Sequence, residues 1–413
     1  MMFLFLLTDV QAEPLSLSYE EAMERATRQN PQLQIALLDQ DSATAAVQMA
    51  RAIYDPKLTM SAGQNVNTRE QFFAGLGAFK SETYGPSYSL GFNSTFATGT
   101  NLTVDWTTSR STSLFISQEF EDLEQTVNPI DTTLTMTLTQ SLLEGFKLKY
   151  NQRSIREAQA NLSRSQLLAL ESAQSILAET AAAYWNTVYQ QRLSQLAEES
   201  LAIALEEERL IRARVEQGEL ASVEADRVEA ASLTAKAALL DAQLAFESSK
   251  EAFLLLLGED IQQDLLLSST IPTIDLDPID IEKELENIAE DNPSLQRLKM
   301  EIVAAEASVS DARHALLPNL TGTARLSYIG WEDEFSDALN EMISRDLPSR
   351  YIGVNLEVPI ANINDRANLQ QKKIALEKAR KEYSRQEQII LQQAQAQVRI
   401  LQQAQQKIEL NRL

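Results

Sequence analysis

The sequence predicts a mainly α fold that also carries a β-sheet, assembled from one helix-into-strand unit used twice. Three observations predict it. Residues 30–62 and 292–324 align without a gap at 13 of 33 positions, 262 residues apart. That spacing is far beyond the period of a solenoid, so a large unit has been duplicated. Between Gly145 and Gly218 lie 72 residues with neither proline nor glycine, which as one helix would span about 110 Å. Finally, six segments of about ten residues alternate apolar side chains with small or hydroxyl ones.

The totals fit this reading. The 413 residues hold only 12 Gly and 11 Pro, the profile of long helices. With 36 basic and 59 acidic residues the net charge is −23, which argues against nucleic acid as a partner, because phosphate binding needs a basic face. An acidic balance suits an ordinary solvated surface, and equally an aqueous duct that favours cations. With no cysteine, disulfides and thiolate metal sites are excluded. The start, with an apolar run Phe3–Leu7 and a Val10-x-Ala12 pattern, is expected to be a residual secretory signal over 1–12. No window reaches the ~20 apolar residues of a membrane helix, so any bilayer crossing would be by strands.

Taken in order, Ser18-x-x-Glu21 is a capping box that opens a short helix. A second helix follows Asn30-Pro31 and runs to Pro56, which stops it because the residue before proline is pushed out of the helical region. Strands are expected within 57–141. Leu58, Met60 and Ala62 alternate in one, Tyr88, Leu90 and Phe92 in a second, Leu102, Val104 and Trp106 in a third. Leu134, Met136 and Leu138 form a fourth. The stretches 69–85 and 110–129 read as loops. A long helical hairpin fills 145–257, reversing at Gly218. Heptads pair across it as Leu210/Val223, Ile203/Ala230, Leu196/Ala237 and Tyr189/Leu244, the pattern of an antiparallel coiled coil. These segments make a first repeat over 13–267.

A linker (268–279) leads to Asp280 as a helix cap and to a second repeat over 280–413. It has helices over 280–317, two strands within 319–359 joined by a loop from Gly330 to Ser349, and a helix over 361–413. The last helix corresponds to the first two-thirds of the 145–217 rod. A half-buried soluble sheet and a transmembrane barrel both produce such alternating strands.

Here the residues carry a resemblance. The duplicated Asn-Pro helix, the strands started by Pro56 and Pro318, and the strand end Gln140-Ser141-Leu142-Leu143-x-Gly145 resemble TolC-like outer membrane efflux proteins. So do the tip Arg214-Val215-Glu216-Gln217-Gly218-Glu219-Leu220 with Glu224, and the second strand end at Pro359. The resemblance covers about 15–413. It implies a mainly α protomer with a membrane β-sheet, three copies of which form an outer-membrane β-barrel and a periplasmic α-helical barrel. It further implies a passive exit duct of a tripartite efflux or type I secretion system, located in the outer membrane. Arg214, Gly218, Glu219, Leu220 and Glu224 would then contact a periplasmic adaptor that joins an inner-membrane pump. The first repeat has four candidate strands where the family usually has two, the second tip and its return helix are missing, and the signal is incomplete; a sequence truncated at both ends is the expectation. A periplasmic adaptor protein and a structural coiled-coil protein are the alternatives.

Other residues have plainer readings. His314, the single histidine, reads as an ordinary half-buried side chain, and one histidine without cysteine makes no metal cluster. No nucleophile–base–orienter set points to an enzyme, and no cofactor motif is present. Glu206, Glu207 and Glu208 read as a solvated helix face. Tyr88, Trp106 and Tyr328 fit either an interfacial aromatic belt or an ordinary sheet.

Overall fold

The structure, a computed structural model, describes residues 15–73, 77–110, 112–117, 124–127, 129–267, 291–344 and 348–412. The signal segment, the 268–279 linker and Asp280 lie outside the described residues. Compactness groups the chain into two units, Met1–Ser42 with Ser163–Arg297 and Gln386–Leu413, and Ala43–Leu162 with Leu298–Arg385. Each unit takes segments from both sequence repeats.

A short strand β1 (Leu15–Leu17) leads into the helices α1 (Tyr19–Gln29), α2 (Pro31–Arg51), a short α3 (Leu148–Asn151), α4 (Arg153–Glu216), α5 (Ser222–Leu257), α6 (Pro293–His314), α7 (Phe335–Ser344) and α8 (Ile363–Arg412). Their ends follow local chemistry. The Ser18 hydroxyl accepts from the Glu21 N–H at 3.3 Å while the Glu21 carboxylate accepts from the Ser18 N–H at 2.9 Å. Both Asn-Pro pairs start a helix, with proline in the first helical position where its missing N–H costs nothing. Asn30 Oδ1 accepts from the N–H groups of Gln32 and Leu33, and Asn292 Oδ1 accepts from Leu295. Gly218 and Gly258 end α4 and α5 with φ of 76° and 72°. In each case the next residue's N–H reaches back to the carbonyl five earlier, Glu219 to Arg214 and Glu259 to Leu254, the left-handed helix stop that glycine permits.

The first unit has a compact core at the base of the hairpin. Leu17, Ala22, Ala26, Tyr184, Phe253, Leu254 and Leu257 are nearly or fully inaccessible there. Each fully buried Leu or Phe is worth about 1.5–3 kcal/mol. The Tyr184 ring stands edge-on to Phe253 at 5.9 Å. Strand β1 pairs in parallel with β8 (Leu265–Leu267), a contact across some 250 residues that no local pattern announces.

The hairpin seam differs from the expected heptad register. Tyr189, Leu196, Ile203, Leu210, Val223 and Leu244 are all exposed, Ile203 at 70% and Leu244 at 68%. The faces turned inward carry Thr187, Val188, Val228 and Ser232, and the Thr187 hydroxyl donates to the Ser249 carbonyl across the pair. The hairpin closes on this Thr/Val/Ser set. Its larger heptad positions are left outward.

The second unit is built on one antiparallel sheet: β2 (Lys57–Phe73), β3 (Gly77–Thr95), β4 (Thr100–Arg110), β5 (Thr112–Ser117), β6 (Glu124–Val127), β7 (Ile130–Ser141), β9 (Asn319–Glu332) and β10 (Ser349–Glu357). The order is β10-β9-β7-β4-β3-β5-β6, with β2 also on β3. Strand β5 continues the β4 register along β3, from Ser87↔Ser109 to Tyr84↔Thr112. In the same way β6 prolongs β7 beside β5 and β4. The sheet is therefore six lanes: β2, β3, β4 with β5, β6 with β7, β9 and β10.

Two sequence-based loops are corrected by this. Residues 69–73 and 77–85 belong to the β2–β3 ladder, and 112–117 and 124–127 lengthen the next hairpin. Strict apolar alternation gives way there to a polar run, Asn65, Asn67, Thr68 and Arg69 with only Val66 among them, while the backbone pairing continues. The expected loop between the second-repeat strands contains α7, which buries Ala338 and Met342.

Candidate functional site

Three places in the fold can carry function: the two faces of the sheet, the turn where its strands end, and the hairpin tip. Cross-strand register sorts the sheet faces. Leu90, Trp106, Leu134 and Tyr328 form one row across four strands, and Phe92, Val104, Met136 and Leu326 form the next. Leu58, Met60, Ile352, Val354 and Leu356 extend this apolar face to both edges. Many of its side chains are open, with Ile352 87% and Met60 73% exposed. The opposite face carries Ser61, Ser89, Thr107, Thr133, Thr135 and Ser327, with Ser61–Ser89 and Thr135–Ser327 hydroxyl pairs at 2.8 and 2.7 Å. Among the described residues the sheet has an open apolar face, a hydroxyl face and two edge strands, β2 and β10, each paired on one side only, which leaves it unfinished as a soluble object.

At its lower end the sheet is tied into the helices by the sequence-predicted strand boundaries. Pro56 and Pro318 stand directly before β2 and β9, and Pro359 follows β10. Gln140 Nε2 donates to the carbonyls of Thr98 and Ser141 at 3.1 and 2.8 Å, and its Oε1 accepts from the Thr100 hydroxyl. The Leu142 N–H donates to the Leu320 carbonyl at 2.7 Å, joining the two repeats. Asn151, not singled out from sequence, closes the knot by donating to the Ala97 and Gly145 carbonyls at 3.0 and 2.6 Å. Gly99 is required here. Its φ is +79°, and a Cβ would stand 2.2 Å from the Gly145 carbonyl oxygen.

Beside this knot, α4 and α6 are clamped by Arg156, whose Nη2 donates to both Asp311 carboxylate oxygens at 3.0 and 2.9 Å. His314 is 9% exposed, and its ring stands edge-on to Tyr150 at 4.7 Å. Burial, then the nearby Lys147 charge, lowers its pKa, partly offset by Glu144 and Asp311. Burial raises the pKa of Tyr150 and Tyr54. Tyr150 donates to Glu144, and Tyr54 to the Asn151 carbonyl. The histidine therefore sits packed and neutral.

The tip residues lie together at the α4–α5 reversal. Arg214 pairs with Glu219 at 3.4 Å and Glu224 with Arg227 at 3.3 Å. A Cβ on Gly218 would meet nothing within 4 Å, so this glycine serves the turn, not a close approach. Further back, Glu206 pairs with Arg209, and Arg212 links Glu208 to Glu229, a surface charge lattice of small energetic worth. Among the described residues, no group of three or more His, Cys, Asp or Glu is placed to hold a metal ion. None of the described helices is long and apolar enough to cross a membrane.

Comparison with known proteins adds to this geometry. Residues 285–413 match the family described as outer membrane efflux protein. No curated protein matches the sequence. Among solved structures, the Campylobacter jejuni CmeC outer membrane channel is similar at 16% identity and a TM-score of 0.61, over 96% of this chain and 77% of that one. The outer membrane protein VceC of Vibrio cholerae is similar at 15% identity and 0.62, over 95% and 80%. CusC, studied for the conformational changes that accompany transmembrane channel formation, is similar at 14% and 0.64, over 96% and 78%. Residues 285–413 thus match the outer membrane efflux protein family, and the fold of the chain is similar to that of the outer-membrane channels CusC, CmeC and VceC.

Proposed function

We propose that the protein is the outer-membrane exit duct of a tripartite efflux or type I secretion system, a passive conduit with no covalent chemistry of its own. The observation that carries this reading is the six-lane sheet with an apolar face, a hydroxyl face and two unpaired edges. In lipid an unpaired edge costs several kcal/mol per backbone group, so strands must close into a barrel. Six lanes are too few for a water-filled barrel. Three copies would give about 18 strands, a size that leaves an aqueous channel. The even lane count sets β10 of one copy antiparallel to β2 of the next, as closure of such barrels demands.

The same association uses the exposed heptad positions of the hairpin. Ile203, Leu210 and Leu244 lie on faces that the hairpin does not cover itself, and a neighbouring copy would bury them as the wall of a periplasmic helical tunnel. The tip residues Arg214, Gly218, Glu219, Leu220 and Glu224 would meet a periplasmic adaptor, and through it an inner-membrane pump. Tyr88 would lie toward the outer aromatic girdle, with Trp106 and Tyr328 one row deeper in the apolar band.

Purified protein added to a planar bilayer should give discrete conductance steps, and its band on a detergent gel should shift on boiling. Protein that neither inserts nor shifts would overturn the reading.

A further inference from the structure

A cleft of about 730 Å³ opens where α7 lies on the sheet, a size within the range of pockets that enclose a drug-sized ligand. Pro86, Tyr88, Trp106, Ile130 and Phe335 give it apolar and aromatic walls, and Arg110 and Glu334 bring opposite charges to it. The Phe335 ring stands edge-on to Trp106 at 6.4 Å. The cleft is a built feature. Gly330 admits α7 because a Cβ there would stand 1.9 Å from the Ala338 carbonyl oxygen. Beneath the helix, the buried Thr108 and Thr132 hydroxyls satisfy each other at 2.9 Å.

Two arguments identify the occupant. The first is position. Tyr88, Trp106 and Thr108 belong to the apolar face of the sheet, which under the barrel reading meets lipid. From Thr100, beside the Gln140 knot, to Arg110 is ten strand steps, roughly 34 Å along the strand. At a barrel tilt of about 40° that is a height of roughly 26 Å, close to the ~25 Å apolar band. Trp106 then falls inside the band and Arg110 at its outer boundary.

The second argument is charge. Arg110 donates to the Asp333 carbonyl at 3.2 Å through one nitrogen and keeps further N–H groups. Glu332, Asp333 and Glu334 follow one another in the chain beside it. A purely anionic headgroup would meet more negative than positive charge. A headgroup with both a phosphate and an amine fits both signs.

We propose that this cleft binds one zwitterionic, amine-bearing phospholipid. An acyl chain lies between Trp106, Tyr88 and Phe335, the phosphate meets the Arg110 guanidinium, and the ammonium meets Glu334. The inference rests on the barrel reading, since only then does this face meet lipid.

The test uses fluorescence. Trp185→Phe with Trp331→Phe leaves Trp106 as the sole tryptophan of the full chain, which is reconstituted with chain-brominated phosphatidylethanolamine or chain-brominated phosphatidylglycerol at equal low fractions. A second chain with Trp106→Phe added and Ile352→Trp reports on the open apolar face. The expected result is that the phosphatidylethanolamine quenches Trp106 roughly threefold more effectively, the scale of the one exposed ion pair, ammonium with Glu334, that phosphatidylglycerol cannot make. Arg110→Gln with Glu334→Gln should erase that preference, while position 352 should be quenched equally by both lipids. If position 352 is quenched but Trp106 is either unquenched or shows no preference, the lipid site is wrong and the barrel stands. If position 352 is not quenched, the barrel reading fails and the lipid site with it.

Discussion

In the first repeat Pro56 leads into a ladder that runs from Lys57 to Phe73 and returns from Gly77 to Thr95, followed by a second long hairpin. In the second repeat Pro318 leads into β9, which ends at Glu332, and β10 returns over only nine residues, Ser349 to Glu357. Between them the chain folds α7 back onto the sheet. Up to the proline the two copies obey the same local rules: an asparagine cap, proline in the first turn, a helix of 21 or 22 residues, then a strand. Beyond it they diverge. Where side chains alternate strictly, the strand length is close to what a bilayer needs. Where alternation stops, one copy continues as a ladder and the other turns into a helix. Local chemistry fixes how these units begin, and tertiary surroundings fix how far they extend.

The interlocked first-repeat turn offers the largest test. Gly99→Val places a branched side chain at φ +79° against a backbone oxygen. Strain of about 1–2 kcal/mol adds to overpacking of about 1–3 kcal/mol, so thermal unfolding followed by circular dichroism should show a severe loss. Gly218→Ala has the same sign of φ with open space around it, so only the strain should appear. Equal losses would mean that the Gly99–Gly145 contact carries no weight.

The two asparagine caps come next. Asn30 is 3% exposed and also donates to the Leu256 carbonyl at 2.7 Å, a bond with no counterpart for Asn292 among the described residues. Asn30→Ala should cost about 2–3 kcal/mol, from a lost cap plus an orphaned carbonyl. Asn292→Ala should cost about 1 kcal/mol. The reverse order in denaturant titration would break the comparison.

The smallest effect concerns pH. Burial lowers the pKa of His314 below 6.5, so the unfolded chain takes up its proton first. The folded state therefore loses stability as pH falls from 6.5 toward the lowered value, and is unaffected by this group above 6.5. His314→Gln should flatten that part of the stability profile, which is readable because the chain has no other histidine. An unchanged slope between pH 7 and 5 would contradict it.

How much of this was legible follows from which forces act locally. Pro56, Pro318, the Asn-Pro caps, Gly218 and the Gln140 strand end all mark their elements in the sequence because capping and backbone restriction are local. The β1–β8 pair was not legible, since three leucines carry no long-range address. Asn151 was missed because it has no flanking signal, only a place between Ala97 and Gly145. The hairpin seam was misassigned for a physical reason: large heptad residues mark a helix contact without saying with which helix. Here they face outward, and the seam takes Thr187, Val188, Val228 and Ser232. The extensions of the ladders over 69–85 and 112–127 were missed because backbone pairing needs no particular side chain, and the strict apolar alternation that marks the earlier strands ends there.

The most direct test of the account is a disulfide across the two sheet edges. The chain contains no cysteine, so Val354→Cys on β10 can be combined in turn with Leu58→Cys, Met60→Cys or Ala62→Cys on β2, all four on the apolar face. The account predicts that at least one pair, oxidised in membranes, yields dimer and trimer bands on a non-reducing gel and no band above trimer, since three bonds close the ring. Only monomeric bands from every pair, or a ladder running beyond three, would contradict it.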